Sequence, residues 1–148
     1  MSIRNAKVED KFRITELAEN CSPLLRASVD GTYEFLARCF ENTFFVYEVD
    51  GEIIAYIVGF PNTAKKGEFW LYQVCVCDKH REKGIGSKLL EKLINQVKSE
   101  GYGRIRSHLQ FVNDHSLNLH RKFGFEIYGQ DDRGWFLELV LSYQQKQE

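Results

Sequence analysis

A short loop with two glycines carries the residues best suited to bind an anion. It runs from Arg81 to Gly86, between an apolar stretch predicted as a strand (69–77) and a helix predicted from Ile85 to about Glu100. Glycine lets the backbone turn with little bulk, so the N–H groups at the start of a helix can face one ligand, and the helix dipole adds positive charge. Full positive charges are supplied by Arg81, Lys83 and Lys88. The loop predicts a pyrophosphate site and hence a nucleotide-like cofactor.

The pattern R-x-x-G-x-G is a weak signal by itself, because glycine is often a simple turn between a strand and a helix. The loop lacks the G-x-x-x-x-G-K-[ST] pattern of a P-loop, and its spacing is not the G-x-G-x-x-G of a dinucleotide fold. Kinases and dehydrogenases are therefore disfavoured.

Cysteine side chains offer a second kind of chemistry. The chain has Cys21, Cys39, Cys75 and Cys77. No second ligand pair follows Cys75 and Cys77 at zinc-finger spacing, so we predict no metal site. Cysteine density is too low for a secreted disulfide scaffold. We predict reduced thiols that pack as small hydrophobic side chains.

Hydrophobic periodicity predicts the elements that must position these residues: strand, helix, helix, three strands, helix, strand, helix and two strands. The predicted bounds are 3–6, 8–20, 32–41, 43–49, 52–60, 69–77, 85–100, 104–111, 114–122, 126–128 and 135–141. Asp50-Gly51 predicts a hairpin turn, and the apolar stretch 69–77 predicts a central strand. The polar tail, 144–148, is predicted to fray.

Three helices are predicted with a specific buried face. The main helix has a stripe formed by Ile85, Leu89, Leu90, Leu93, Ile94 and Val97. Gly101 is placed to end it. Thr32 is predicted to cap the second helix, with Phe35, Leu36, Cys39 and Phe40 on its inner side. Phe12 is placed on the inner stripe of the first helix.

Length and charge limit the remaining possibilities. The chain has 148 residues and a formal net charge of -1, with a sequence pI near 6.4. This length predicts a single domain over residues 1–148. The charge predicts no attraction to nucleic acid or to an anionic membrane surface. No apolar run approaches the roughly 20 residues that span a bilayer. We therefore expect a cytoplasmic protein.

Two segments of the chain carry motifs: residues 73–90, QVCVCDKHREKGIGSKLL, and residues 113–125, NDHSLNLHRKFGF. The first looks like the acetyl-CoA motif of the GNAT superfamily of N-acetyltransferases. The second resembles that family's second motif, N-x-x-[AS]-x-x-L-Y-x-x-x-G-F. The order of elements is similar to the family's from about Ile3 to Leu141. The resemblance implies an α/β (α+β) GNAT fold: a mixed, mostly antiparallel sheet of six to seven strands with splayed central strands and about four flanking helices.

The resemblance also implies acetyl transfer from acetyl-CoA, as cosubstrate, to an amine. The pyrophosphate would bind at Arg81, Glu82, Lys83, Gly84, Ile85, Gly86 and Ser87. The pantetheine arm would run along the backbone of Val74, Cys75 and Val76, with Asn113 and Ser116 on its other side. Direct transfer needs no covalent intermediate, so cysteine nucleophiles are not expected.

His120 stands where the second motif usually has a tyrosine that protonates the departing thiolate. It lies four residues after Ser116, so both share one helix face. An imidazole can donate a proton near neutral pH. His120 is therefore a candidate catalytic residue, but it can equally be a packing residue, with water, Tyr102, Tyr128 or Tyr143 as the donor.

His108 is the candidate base. An aliphatic amine has a pKa near 10 and must lose a proton before it attacks the thioester. Counted back from Asn113, His108 matches a position where ribosomal-protein-alanine acetyltransferases, a GNAT branch, carry a glutamate. Through water it could accept the amine proton. The alternative is a structural, partly buried histidine.

The acceptor is less well defined by the sequence. Residues 35–60 and 72–74 look somewhat like diaminobutyrate acetyltransferases, which favours a small-molecule amine or an amino acid. A protein N-terminus or a lysine, and hence a peptide substrate, stays possible. The alternative of another class is a non-catalytic acyl-CoA sensor, which the missing tyrosine favours. Many relatives in this family form dimers, so a homodimer is possible.

Overall fold

Seven strands lie side by side in one sheet in the computed structural model, which describes residues 2–141. The strands are β1 (Ser2–Asn5), β2 (Phe44–Val49), β3 (Glu52–Pro61), β4 (Glu68–Val76), β5 (Arg104–Gln110), β6 (Glu126–Gln130) and β7 (Gly134–Val140). The helices are α1 (Lys11–Cys21), α2 (Asp30–Cys39), α3 (Ile85–Ser99) and α4 (Asp114–Lys122). This confirms the predicted order of elements. The predicted fraying of residues 144–148 lies outside the described residues.

The sheet order is β1-β2-β3-β4-β5-β7-β6, and only the β4–β5 pair is parallel. The remaining neighbours are antiparallel. The predicted mixed, mostly antiparallel sheet with four flanking helices is therefore confirmed, as is the central place of β4. Asp50 and Gly51 both have positive φ, as the predicted β2–β3 hairpin turn requires.

Separate apolar clusters cover the two faces of the sheet. Helix α3 packs on one face through its whole predicted stripe, from Ile85 to Val97. Helices α1 and α2 pack on the other face. Burial of each large apolar side chain contributes roughly 1.5–3 kcal/mol, so the stripe holds α3 firmly on the sheet. Among residues 2–141, no helix is both long and apolar enough to cross a bilayer.

The predicted inner faces of the first two helices were wrong at three positions. Phe12 is 65% exposed, Phe35 is 57% exposed, and Cys39 is exposed. Helix α2 instead buries Tyr33, Leu36 and Ala37. The α2 sequence has apolar residues on two adjacent faces, and the buried face is the one that lets Tyr33 reach the sheet.

The predicted cap of α2 was also wrong. The helix begins at Asp30, and its N-cap is Val29, which has no side-chain cap bond. Thr32 therefore lies inside the first turn, where its N–H donates to the carbonyl of Val29. Tertiary packing of Tyr33 thus outweighs the capping preference of threonine.

The prediction of four reduced cysteines was wrong for one pair. Cys21 and Cys75 form a disulfide, 54 residues apart in sequence. Among the described residues, Cys39 and Cys77 are free. Cys21 is the last residue of α1, and Cys75 lies on the face of β4 that this helix covers. Their contact depends on how α1 crosses the sheet, which sequence spacing does not reveal.

Candidate active site

A cleft opens where the two central strands separate. Residues Glu68–Trp70 of β4 pair with Arg104–Arg106 of β5. Beyond this segment, β4 is hydrogen-bonded only to β3, and β5 only to β7. The cleft between them has a volume of about 790 Å³. It brings together the predicted site residues Val74, His108, Asn113, Ser116 and His120. The predicted splay of the central strands is thereby confirmed.

The predicted anion-binding turn lies between β4 and α3. Gly84 is the N-cap of α3 and has φ 79°, a conformation that favours glycine. Glu82 also has positive φ. Arg81, Glu82, Lys83 and Gly84 are exposed, so the turn is open to a ligand. It leaves the amides of the first helical turn available for a phosphate, as P-loop-like anion sites do.

Gly86 has a packing role that the sequence did not show. A Cβ at this position would lie 3.3 Å from the Leu119 side chain and 3.7 Å from that of Val76. The missing side chain therefore lets α3 approach both α4 and the end of β4. Ser87, on the same helical turn, accepts a hydrogen bond from Lys122 Nζ at 3.0 Å. Lys122 thus adds a positive charge beside the turn, from a helix distant in sequence.

Arg81 folds back over the end of β4. Its Nε donates to the carbonyl of Val76 at 3.2 Å, and its guanidinium pairs with Asp78 at 3.0 Å. The same guanidinium lies 3.8 Å from the sulfur of Cys21. Arg81 therefore ties the turn to the strand and to the disulfide. Its role as a pyrophosphate ligand stays a prediction.

His120 is fully buried at the floor of the cleft, and both ring nitrogens have partners. Nδ1 lies 2.7 Å from the carbonyl oxygen of Ser116, which can only accept, so Nδ1 carries the proton. Nε2, 3.0 Å from the Ser107 hydroxyl, then accepts. Burial lowers the pKa of His120 to about 4, opposed by the bond to Ser116. The imidazole is thus neutral at physiological pH.

Ser107 is a site residue that the sequence analysis missed. It lies on β5 directly before His108, and it is buried against His120 in the cleft. A serine in a predicted strand carries no distinctive signal. Only the packing of α4 against β5 shows that its hydroxyl faces an imidazole.

His108 lies on β5 at the cleft, with one nitrogen held by a carboxylate. Its Nε2 is 2.9 Å from Oδ1 of Asp131. That oxygen also accepts the backbone N–H groups of Arg133 and Gly134, each at 2.9 Å. These bonds, with the His108 contact foremost, lower the pKa of Asp131 to about 2. The carboxylate therefore stays ionised and faces the imidazole with a full negative charge.

Asp131 was also missed as a site residue. Its sequence context, Asp131-Asp132-Arg133-Gly134, predicts only a turn between β6 and β7. Because β7 pairs with β5, His108 lies opposite Phe136 and Gln110 opposite Gly134. This register carries the turn to the same end of the sheet as His108. An Asp–His pair of this kind is a common arrangement for a general base.

Two of the alternative tyrosine donors lie away from the cleft. Tyr102 packs edge-on against Phe69 and lines a separate cavity. Tyr128 lies under the guanidinium of Arg106, 4.5 Å from it. Tyr143 lies outside the described residues. Among the described residues, the tyrosine that lines the cleft is Tyr72, which the sequence does not indicate as a proton donor.

A loop between α1 and α2, residues 22–29, covers the cleft. We call it the covering loop. Gln110 and Asn113 hold it from the β5 side through the carbonyls of Pro23 and Leu24, at 2.6 Å and 3.4 Å. Gln73 holds it from β4 through the carbonyl of Arg26, at 2.7 Å. The loop therefore bridges both walls of the splay.

Gln73 is itself part of a buried polar network. Its Oε1 accepts the hydroxyls of Tyr33 at 2.9 Å and Tyr56 at 2.8 Å. Tyr33 in turn accepts the N–H of Ser28, at 3.1 Å. A buried network whose members are all satisfied is rigid, so it fixes the position of the covering loop above the cleft.

Comparison with protein families gives one direct match. A model described as the acetyltransferase (GNAT) family matches residues 11–125. The match includes both central strands, the anion-binding turn and the whole of the second motif, which ends at Phe125.

Relatives and solved structures show similarity over most of the chain. An N-alpha-acetyltransferase of Sulfurisphaera tokodaii is 31% identical, covering 84% of this chain and 79% of that protein. An L-2,4-diaminobutyric acid acetyltransferase of Nocardia farcinica is 25% identical. The similarity covers 79% of this chain but only 60% of that relative's length.

Two solved structures share the fold. The diaminobutyrate acetyltransferase of Paenibacillus lautus, in complex with L-2,4-diaminobutyric acid and coenzyme A, has a TM-score of 0.85 at 20% identity, covering 98% of this chain and 97% of its own. A ribosomal-protein-alanine N-acetyltransferase of Brucella melitensis has a TM-score of 0.79 at 21% identity, covering 95% and 100%. The similarity extends to both groups that the sequence resembled.

Proposed function

The chain belongs to the acetyltransferase (GNAT) family, and from that premise we propose that it transfers the acetyl group of acetyl-CoA directly to the primary amine of a small molecule or an amino acid. The observation that carries the proposal is the cleft between β4 and β5. The anion-binding turn follows β4, which forms one side of the cleft, and His108, which is bonded to Asp131, lines the cleft.

The residues fit coenzyme A as follows. The turn from Arg81 to Ser87 holds the pyrophosphate on the amides of the first turn of α3, with Lys122 adding charge beside it. The pantetheine arm lies along β4 from Val74 to Val76, where the strand has no β5 partner. The cofactor supplies the acyl thioester, and a backbone N–H near Val76 stabilises its carbonyl oxygen during attack.

His108 removes the amine proton in this proposal. Asp131 binds Nε2–H, so Nδ1 is left with its lone pair, which can accept a proton directly or through water. The negative charge of Asp131 then stabilises the imidazolium that forms. An Asp–His pair of this kind supports proton abstraction, which is the step that acyl transfer to an amine requires.

His120 has a more restricted role than the resemblance implies. A neutral ring whose Nδ1 proton is held by Ser116 has no imidazolium proton to give to the thiolate. Nε2 accepts the hydrogen bond of the Ser107 hydroxyl and so holds that hydroxyl in place. We therefore retain His120 as a catalytic candidate that acts through Ser107: the hydroxyl passes a proton from solvent to the thiolate, which balances the amine proton that His108 releases to solvent.

Amine-dependent release of CoA tests the proposal. The purified protein is incubated with acetyl-CoA and a panel of amino acids, diamines and short peptides, and free thiol is followed with time. We expect thiol release that depends on a small amine, and a product heavier by one acetyl group in mass spectrometry. Binding of acetyl-CoA without amine-dependent release would instead indicate a sensor.

A peptide acceptor is the second candidate function, favoured by the similarity to an N-alpha-acetyltransferase over most of both chains. The same panel distinguishes it. Faster release with a peptide N-terminus than with any free amino acid would assign the protein to that class.

A further inference from the structure

Two arginine side chains line the cleft without a described partner. The contacts of Arg26 and Arg133 run through their backbones, to Gln73 and Asp131 respectively. Across residues 2–141, neither guanidinium takes part in a side-chain hydrogen bond or an ion pair. By contrast, Arg104 and Arg106 on β5 are both held by Glu68 and Glu138. Arg26 and Arg133 are both exposed at the cleft, so each guanidinium is available to a ligand.

The fold links the two segments that carry these arginines. Gln110 is the link between them, because it pairs with Gly134, the neighbour of Arg133, in the β5–β7 register. Its side chain donates to the carbonyl of Pro23, in the covering loop that carries Arg26. The segments that carry the two arginines are thus joined through a single residue.

Arg26 and Tyr72 line the same cleft. Burial raises the pKa of Tyr72, and the positive charge of Arg26 partly opposes this increase. Arg133, for its part, lies two residues from Asp131 in the turn that orients His108.

His108, Arg26 and Arg133 line one cleft, and Asp131 contacts both the His108 ring and the Arg133 backbone. A ligand whose amine faces His108 would therefore have its remaining groups near this turn and the covering loop. The guanidinium fork binds carboxylate in a bidentate manner, and it does so best where few other partners compete. The aromatic residues Phe60, Trp70 and Tyr72 line the same cleft.

We propose that Arg26 and Arg133 bind the carboxylate of the acceptor, so that the substrate is a free amino acid and not the N-terminus of a polypeptide. The inference rests on the proposed acetyl transfer and specifies its substrate class. A peptide N-terminus has an amide where the amino acid has its carboxylate, and so leaves both guanidinium groups without an anion.

The experiment uses matched acceptors that differ only in the carboxyl group. One set is L-2,4-diaminobutyric acid, its carboxamide and 1,3-diaminopropane; a second is L-alanine, alaninamide and ethylamine. Release of CoA is measured for each with the unaltered protein and with the Arg26→Gln and Arg133→Gln variants. Arg38→Gln is the control, since Arg38 pairs with Glu34 on the surface of α2, away from the cleft.

We expect kcat/KM for at least one acid to exceed that for its amide and its decarboxylated analogue by about 10- to 100-fold. Each cleft variant should remove most of this preference, because it should raise KM for the acid by far more than KM for the uncharged analogue, whereas the KM for acetyl-CoA should not rise. The Arg38→Gln control should behave as the unaltered protein.

Other outcomes contradict the inference in distinguishable ways. Equal rates with acid and amide would leave acetyl transfer intact but exclude carboxylate recognition. A rise in KM for acetyl-CoA in the variants would assign the arginines to the cofactor. Turnover of peptides alone would overturn the amino-acid acceptor, and no amine-dependent release with any acceptor would remove the proposed function as well.

Discussion

Oδ1 of Asp131 lies 2.9 Å from Nε2 of His108, which joins a turn residue to a strand residue at the wall of the cleft. The same oxygen accepts two backbone N–H groups of its own turn. The carboxylate is therefore held in place before any substrate binds. Its charge and its geometry can be separated by mutation, because asparagine retains the acceptor oxygen and loses only the charge.

The Asp131→Asn substitution should lower kcat/KM for the acceptor by about 10- to 100-fold, since the imidazolium formed during proton removal loses its counter-charge. His108→Gln should lower it further. Steady-state kinetics with the best amine, together with calorimetric binding of acetyl-CoA, checks both. Cofactor affinity should be unchanged, and an unaltered kcat/KM in either variant would remove the pair from the mechanism.

Gly84→Val should weaken acetyl-CoA binding by at least tenfold. Gly84 has φ 79°, and valine is strained there and would distort the anion-binding turn. Gly101→Val is the matched control, because Gly101 has φ 90° just after the same helix, and an added Cβ meets no atom within 4 Å at either glycine.

Both valine variants should lose roughly 1–2 kcal/mol of unfolding free energy, as measured in urea. Only Gly84→Val should affect the affinity for acetyl-CoA in calorimetry. Equal affinity in the two variants would show that the turn does not hold the cofactor.

Acid should destabilise the protein through His120. Its pKa is about 4 in the folded state, below the usual 6.5, so the unfolded chain binds the proton more readily. The resulting loss of unfolding free energy is absent above pH 6.5 and grows as the pH falls. It is complete below pH 4, where it is about 3 kcal/mol. Urea unfolding at pH 7.5 and pH 4.5 measures it.

His120→Gln should show a smaller loss of unfolding free energy between these two pH values than the unaltered protein. His115→Gln is the control, because His115 is an exposed residue of the same helix. A pH dependence identical in all three proteins would contradict the neutral, buried state of His120.

The Ser107→Ala and His120→Phe substitutions should each depress kcat more than they change the KM for acetyl-CoA, by about tenfold or more. The two residues form one hydrogen-bonded unit, so the double variant should lose little beyond the more severe single variant. Additive losses would show that they act separately, and an unchanged kcat in both would exclude this unit from proton transfer.

The disulfide gives a direct chemical test. In protein that is unfolded without reductant, a thiol reagent should react with two thiols, those of Cys39 and Cys77. After reduction it should react with all four cysteines. Cys21→Ser should release the partner thiol and raise the unreduced count by one. A full count without reductant would show that the α1–β4 link is not formed.

Patterns among residues close in sequence are sufficient to predict much of the fold. The stripe from Ile85 to Val97 and the Asp50-Gly51 turn rest on contacts within a few residues, and the structure confirms both. Asn113 likewise caps α4 by accepting the N–H of Ser116, a bond between near neighbours in sequence. Short-range physical chemistry determines such features, so the chain reveals them directly.

The remaining features depend on which segments the tertiary structure brings together. The sequence by itself determined the family, the order of elements and the positions of His108 and His120. Only the folded chain paired His108 with Asp131, His120 with Ser107 and Cys21 with Cys75, and joined the segments that carry Arg26 and Arg133. Strand register and helix crossing set these contacts across many residues of sequence, and no local pattern encodes them.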